Sequence, residues 1–120
     1  MDNFKNLRIW QDACNLTVKV YKLIDDFPNV ERYGLCSQLG RSVNSVGANI
    51  AESCGRFHYK DRTNFLYHAR ASLYETMHHL VIANKLKYIS NKQLSEISND
   101  IQDLNIRLNN YIASTKNNNH

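Results

Sequence analysis

Residues 90–112 read SNKQLSEISNDIQDLNIRLNNYI, and this stretch decides the fold. Ser90 and Gln93 have the spacing of a capping box, in which each residue's side chain accepts a hydrogen bond from the other's backbone N–H. Beyond that start Leu94, Ile97, Ile101, Leu104, Leu108 and Tyr111 alternate at steps of three and four. A seam of two apolar positions per heptad predicts a helix that packs on other helices with coiled-coil-like crossing. From Ser114 onward the residues are polar with nothing to bury, so 114–120 is expected to be a disordered tail.

Working back from this helix, the same rhythm recurs three times. Over residues 7–27 the apolar positions Trp10, Ala13, Cys14, Thr17, Val20, Tyr21, Ile24 and Phe27 predict an amphipathic helix. Pro28 ends it, because the residue before a proline is pushed out of the α region. Ile9, Leu16 and Leu23 form a second line beside the first. The added width fits either a subunit contact or a broad core contact. A second helix is expected over 30–54, with Leu35, Leu39, Val43, Val46, Ile50 and Cys54 inward. Its small residues Ser37, Gly40, Asn44, Gly47, Ala48 and Ala51 suggest close approach of another backbone, since glycine inside a helix costs about 1 kcal/mol relative to alanine. Gln38, Arg41, Ser45, Asn49, Glu52 and Arg56 make a continuous polar edge on the remaining side.

Gly55 marks the end of that helix and Asp61 is the expected N-cap of a third, over 61–88. Phe65, Ala69, Leu73, Thr76, Leu80 and Ala83 form its core face, and His68, Ser72, Glu75 and His79 a second polar line. A short turn makes these two helices antiparallel, which places Arg41 opposite Glu75 and predicts an ion pair. The expected architecture is therefore all-α: an antiparallel up-down-up-down four-helix bundle over residues 1–113.

Composition agrees with this. The chain of 120 residues has one proline and four glycines, too few for the turns of a sandwich or barrel, and it carries no phosphate-binding glycine loop. Fifteen basic against eleven acidic residues give a net charge of +4. The surplus lies at residues 31–90, with eight basic and four acidic side chains, which suits an anionic partner. Cys14, Cys36 and Cys54 form no metal or disulfide pattern and fit a cytoplasmic protein. No membrane span or secretion signal is apparent.

Catalytic readings are thin. Glu75-x-x-His78 is one half of a di-metal bundle motif, and Glu52 adds a carboxylate, but the set is incomplete. Cys54 and His58 lack an orienting partner and an oxyanion turn. No enzyme activity, metal or cofactor is expected. The segment 55–62 interleaves Arg56, His58, Lys60 and Arg62 with Phe57 and Tyr59. Cations that contact phosphates and rings that stack on bases suit single-stranded nucleic acid. Phe57 and Tyr59 plugging the bundle end is the competing explanation.

Several segments together resemble a known family: Phe4 to Gln11, Phe27-Pro28, Glu31 to Leu35, Ser37 to Leu39, Arg41-Ser42, Ser45 to Glu52, Phe65-Leu66 and Ala71 to Glu75. Over residues 4–112 the chain resembles the bacterial four-helix-bundle proteins encoded in intervening sequences of 23S ribosomal RNA genes. It is also similar to the accessory variability protein of diversity-generating retroelements. The resemblance implies a non-catalytic homopentamer, and for the retroelement protein a basic surface that engages nucleic acid and a reverse transcriptase. The polar residues marked in the family fall here on Arg41, Asn49, Glu52, Arg56 and Glu75. Ser53-Cys54 departs from the glycine usual after the glutamate, and Gly40 replaces a common basic residue.

These readings make Arg41, Arg56, His58, Lys60 and Arg62 the expected contacts to RNA or DNA. Gln38, Asn49, Glu52 and Glu75 are the expected polar network that organises subunits. A protein-interaction scaffold without nucleic-acid binding is the alternative.

Overall fold

The computed structural model describes residues 3–117. Four helices carry the chain: α1 (Arg8–Ile24), α2 (Leu35–Cys54), α3 (Tyr59–Lys85) and α4 (Asn91–Asn117). Short 3-10 turns lie at Asn3–Asn6 and Asn29–Glu31. Each helix packs most closely on two neighbours, and the diagonal pairs stand further apart among the described residues.

Opposed running order is visible at every seam. Trp10 and Ala13 meet Gly47, whereas Tyr21, further along α1, meets Gly40. Asp12 pairs with Arg107 and Lys19 with Asp100. Arg56 lies over the Phe65 ring, whereas Ser42, earlier on α2, bonds Thr76. Arg70 reaches Asn109 while Met77 reaches Ser98. The helices thus alternate up and down around a shared core.

That core is built by the expected periodicity with local shifts. Ile9, Ala13, Leu16 and Val20 of α1 are buried, so Ile9 and Leu16 of the second apolar line belong to the core. Tyr21, from the first line, is largely exposed. On α3 the buried residue is Leu66, and its neighbour Phe65 is only partly covered. On α4 Ile112 closes the seam instead of Tyr111. Side chains at Leu39, Val43, Val46, Ile50, Leu73, Leu80, Leu104 and Leu108 have no exposed area or almost none. Burial of one such side chain contributes roughly 1.5–3 kcal/mol.

The ends of the helices differ from the sequence reading for identifiable reasons. Helix α1 stops at Ile24, and Phe27 then folds onto the Tyr88 ring at 5.3 Å. Helix α2 begins at Leu35, not Val30, because the Glu31 carboxylate accepts the Leu35 N–H at 3.2 Å. Val30 and Tyr33 stay in solvent in the intervening turn. Helix α3 starts at Tyr59 with His58 in extended conformation before it, so Asp61 sits inside the first turn and complements the helix dipole. It ends at Lys85 in a Schellman turn. The Tyr88 N–H donates to Ala83 O and the Lys87 N–H to Asn84 O, both at 2.9 Å, with Lys87 left-handed at φ 65°. The Ser90–Gln93 capping box forms at 2.8 and 3.0 Å. Helix α4 then runs through Asn117, so residues 114–117 are helical, contrary to the expected disordered tail; Thr115 donates to Tyr111 O at 2.9 Å. The rest of that tail, 118–120, lies outside the described residues.

The small-residue line of α2 faces α1, and at Gly47 the expected close approach is present. A Cβ there would first meet the Ala13 Cβ, one bond from the α1 backbone, at 3.6 Å, and then the Trp10 ring. A Cβ on Gly40 would meet the Tyr21 hydroxyl at 3.2 Å. The stripe accommodates the rings of α1.

Candidate nucleic-acid interface

The polar edge of α2 stays on the surface. Along it each bond is local to its own helix. Arg41 Nη2 donates to Gln38 Oε1 at 3.1 Å, the Ser45 hydroxyl to Arg41 O at 2.9 Å, and Asn49 Nδ2 to Ser45 O at 2.8 Å. Arg56 Nη2 donates to Glu52 Oε1 at 2.7 Å. The line on α3 behaves alike, with His79 Nε2 and Glu75 Oε2 3.2 Å apart. Arg41 and Glu75 are therefore not paired with each other. The register is nearly as expected, since the adjacent Ser42 and Thr76 hydroxyls meet at 2.9 Å. One residue turns a helix by about 100°, which sends the adjacent Arg41 and Glu75 outward instead of across. The buried Ser42–Thr76 pair is the polar crossing that the sequence reading missed. A serine and a threonine at core-face spacing are its only signal.

Five basic residues were expected to act together, and the structure divides them. Arg41 lies thirteen residues before Cys54, the last residue of α2, about 20 Å along the axis, and Arg56 stands in the turn beyond it. Arg56, His58 and Lys60 gather at the α2–α3 turn, all exposed. Phe57 at its tip is 90% exposed, so it does not plug the bundle. Tyr59 is partly covered. Arg56 also stacks on Phe65, its Cζ 4.5 Å from the ring centroid, which holds the guanidinium at the rim. The same end gains Arg70 and Lys116, which flank the Tyr67 ring at 5.0 and 5.2 Å. Lys116 lay in the expected tail, so its place beside the turn was not readable from spacing.

Beside the turn an open cleft of about 630 Å³ is lined by Phe4, Ala48, Ala51, Glu52, Cys54, Gly55 and Arg56. Arg62 belongs to another cleft, between the ends of α2 and α4 and the start of α3, and its Nε is buried without a hydrogen-bond partner among the described residues.

No catalytic or metal geometry emerges from these residues. Glu75 engages His79, not His78, and the described residues contain no group of three His, Cys, Asp or Glu side chains placed to hold a metal. The His58 ring packs edge-on against Phe57 at 5.2 Å. All three cysteines are free, and burial raises the thiol pKa of Cys14 and of Cys36, the latter with help from Glu31. No described helix is long and apolar enough to cross a membrane.

Fold and surface together define a four-helix bundle whose exposed turn concentrates cations and aromatic rings. A family model described as 23S rRNA-intervening sequence protein matches residues 5–110, and the chain belongs to that family. It is similar to a crystal structure from Bacteroides thetaiotaomicron, described as a protein of unknown function from the S23 ribosomal protein family. The likeness has a TM-score of 0.78 and 26% identity, and covers 87% of this chain and 97% of that one. No curated protein matches the chain.

Proposed function

We propose that the protein is a non-catalytic, homo-oligomeric cytoplasmic module that holds RNA or DNA against the α2–α3 end of the bundle. The observation that carries this reading is the turn itself: Arg56, His58 and Lys60 exposed around a fully projecting Phe57. Cations there meet phosphates and the ring offers a face to an unpaired base. Each such contact is weak on its own. Assembly as a pentamer multiplies it, because a net charge of +4 per chain becomes +20 (5 × 4) per ring. Exposed Val18, Tyr21, Tyr74 and Ile106 supply apolar surface for self-association.

A salt-dependent binding titration with single-stranded RNA and DNA tests this, alongside mass measurement in solution. About three phosphate contacts per subunit give a slope of log affinity on log salt near −2 for a single strand. The variant Arg56→Gln/Lys60→Gln should flatten that slope and weaken binding. No binding at about 50 mM salt, where such contacts are strong, rejects the nucleic-acid reading. A protein partner that survives nuclease treatment would instead favour the scaffold reading.

A further inference from the structure

The cleft around Arg62 differs from the rest of the basic end. Its walls are Leu7, Ser53, Cys54, Arg62, Leu66, Tyr111 and Thr115, and its volume is about 170 Å³. No carboxylate lines it. Glu52, the nearest acid in sequence on α2, is engaged by Arg56 at 2.7 Å. Arg62 makes no ion pair among the described residues, and its buried Nε–H has no acceptor. A guanidinium does not lose its charge, and no carboxylate among the described residues pairs with this one, so its charge is left for the cleft. Two of the hydroxyls are already engaged: Ser53 donates to Ile50 O at 2.6 Å and Thr115 to Tyr111 O at 2.9 Å. The Tyr111 hydroxyl has no such bond. Burial raises the pKa of this phenol, which keeps it a donor, while the Arg62 charge acts in the opposite direction.

The cleft, about 170 Å³, is small beside the roughly 300–1,000 Å³ of pockets for drug-sized ligands, and it has room for a single tetrahedral anion. The planar fork of arginine matches phosphate oxygens bidentately.

We propose that this cleft is an oxyanion site for one phosphate group, with Arg62 as its charged anchor and the Tyr111 hydroxyl as a second donor. The phosphate is either free orthophosphate or the terminal phosphate monoester of a nucleic-acid strand. The second source rests on the nucleic-acid reading above; the site itself does not.

The test uses the full chain at constant ionic strength, titrated with orthophosphate against chloride and followed by thermal midpoint and by the Arg62 Nε–H resonance. Phosphate should raise the midpoint and move that resonance. Arg62→Gln should weaken binding at least about tenfold and Tyr111→Phe a fewfold, as expected for loss of a charged and a neutral donor. Lys60→Gln, outside the cleft, should stay within twofold or so of the unaltered chain. If Arg62→Gln does not fold, the resonance shift and Tyr111→Phe carry the test. No response to phosphate, or an equal response after either cleft substitution, overturns the site.

A 5′-phosphorylated oligoribonucleotide compared with its 5′-hydroxyl twin separates the sources. A preference of roughly tenfold that vanishes in Arg62→Gln identifies a strand end. Equal oligonucleotide affinities with phosphate still bound identify the free anion. Phosphate binding without any oligonucleotide binding keeps the cleft and rejects the nucleic-acid reading. Oligonucleotide binding with no phosphate response does the reverse.

Discussion

The α1–α4 seam and the α2–α3 seam use charge in opposite ways. Across the first, ions join different helices: Asp12 accepts from Arg107 at 3.1 Å, as well as from Arg8 of its own helix at 3.3 Å, and Lys19 meets Asp100 at 2.7 Å. Across the second, the crossings are a buried hydroxyl pair and the stacking of Arg56 on Phe65, while the hydrogen bonds of the outward charges stay within their own segment. Charges that link helices contribute to the fold. Charges that link a helix to itself leave their outer faces to solvent or to a partner, and this is the seam that carries the polar residues singled out from sequence.

Asp12 gives the largest expected effect. Its side chain is 19% exposed and serves two arginines, so Asp12→Ala should destabilise by about 1–2 kcal/mol. Urea unfolding with an unchanged slope would show it, and added salt should shrink the difference. Gly47→Ala should stabilise by about 0.5–1 kcal/mol, since the new methyl has room and helix entropy improves. A loss there would mean that the α1–α2 seam is tighter than its 3.6 Å approach indicates. Glu75→Gln should change stability by no more than about 0.5 kcal/mol, the range of exposed i,i+4 pairs, and Arg56→Gln by about 0.5–1 kcal/mol, since it also loses the Phe65 ring. Costs as large as that of Asp12 would erase the contrast between the seams.

The smallest effect at neutral pH comes from Tyr88. Its hydroxyl donates to Glu31 at 2.8 Å, and that bond, with burial and the glutamate's charge, raises the phenol pKa above its usual value near 10. A raised folded pKa means that the contribution is intact below the unfolded pKa and fades as pH climbs through the folded one. Thermal midpoints should therefore fall from about pH 10 upward, less steeply in Tyr88→Phe.

Periodicity carried most of the fold. The seam of α4, the capping box at Ser90 and the antiparallel register of α2 and α3 were readable because each depends on backbone spacing. The start of α2 was not, because Glu31 caps it through a side chain placed in a turn. The Arg41–Glu75 expectation failed at the level of side-chain direction, which a one-residue rotation settles. The candidate site was legible at the turn, where Arg56, His58 and Lys60 are neighbours in the chain. Membership of Lys116 and the inward place of Arg62 depend on where α4 ends, and polar composition concealed that ending.

The seam between the first and last helices also bears on how the bundle assembles. Three of its four seams join helices that follow one another along the chain, and short connections bring such neighbours together quickly. The fourth must unite Asp12 with Arg107, ninety-five positions apart. Closing this seam carries the largest loop-entropy cost of the four, and those salt links reward it only after the chain has come full circle.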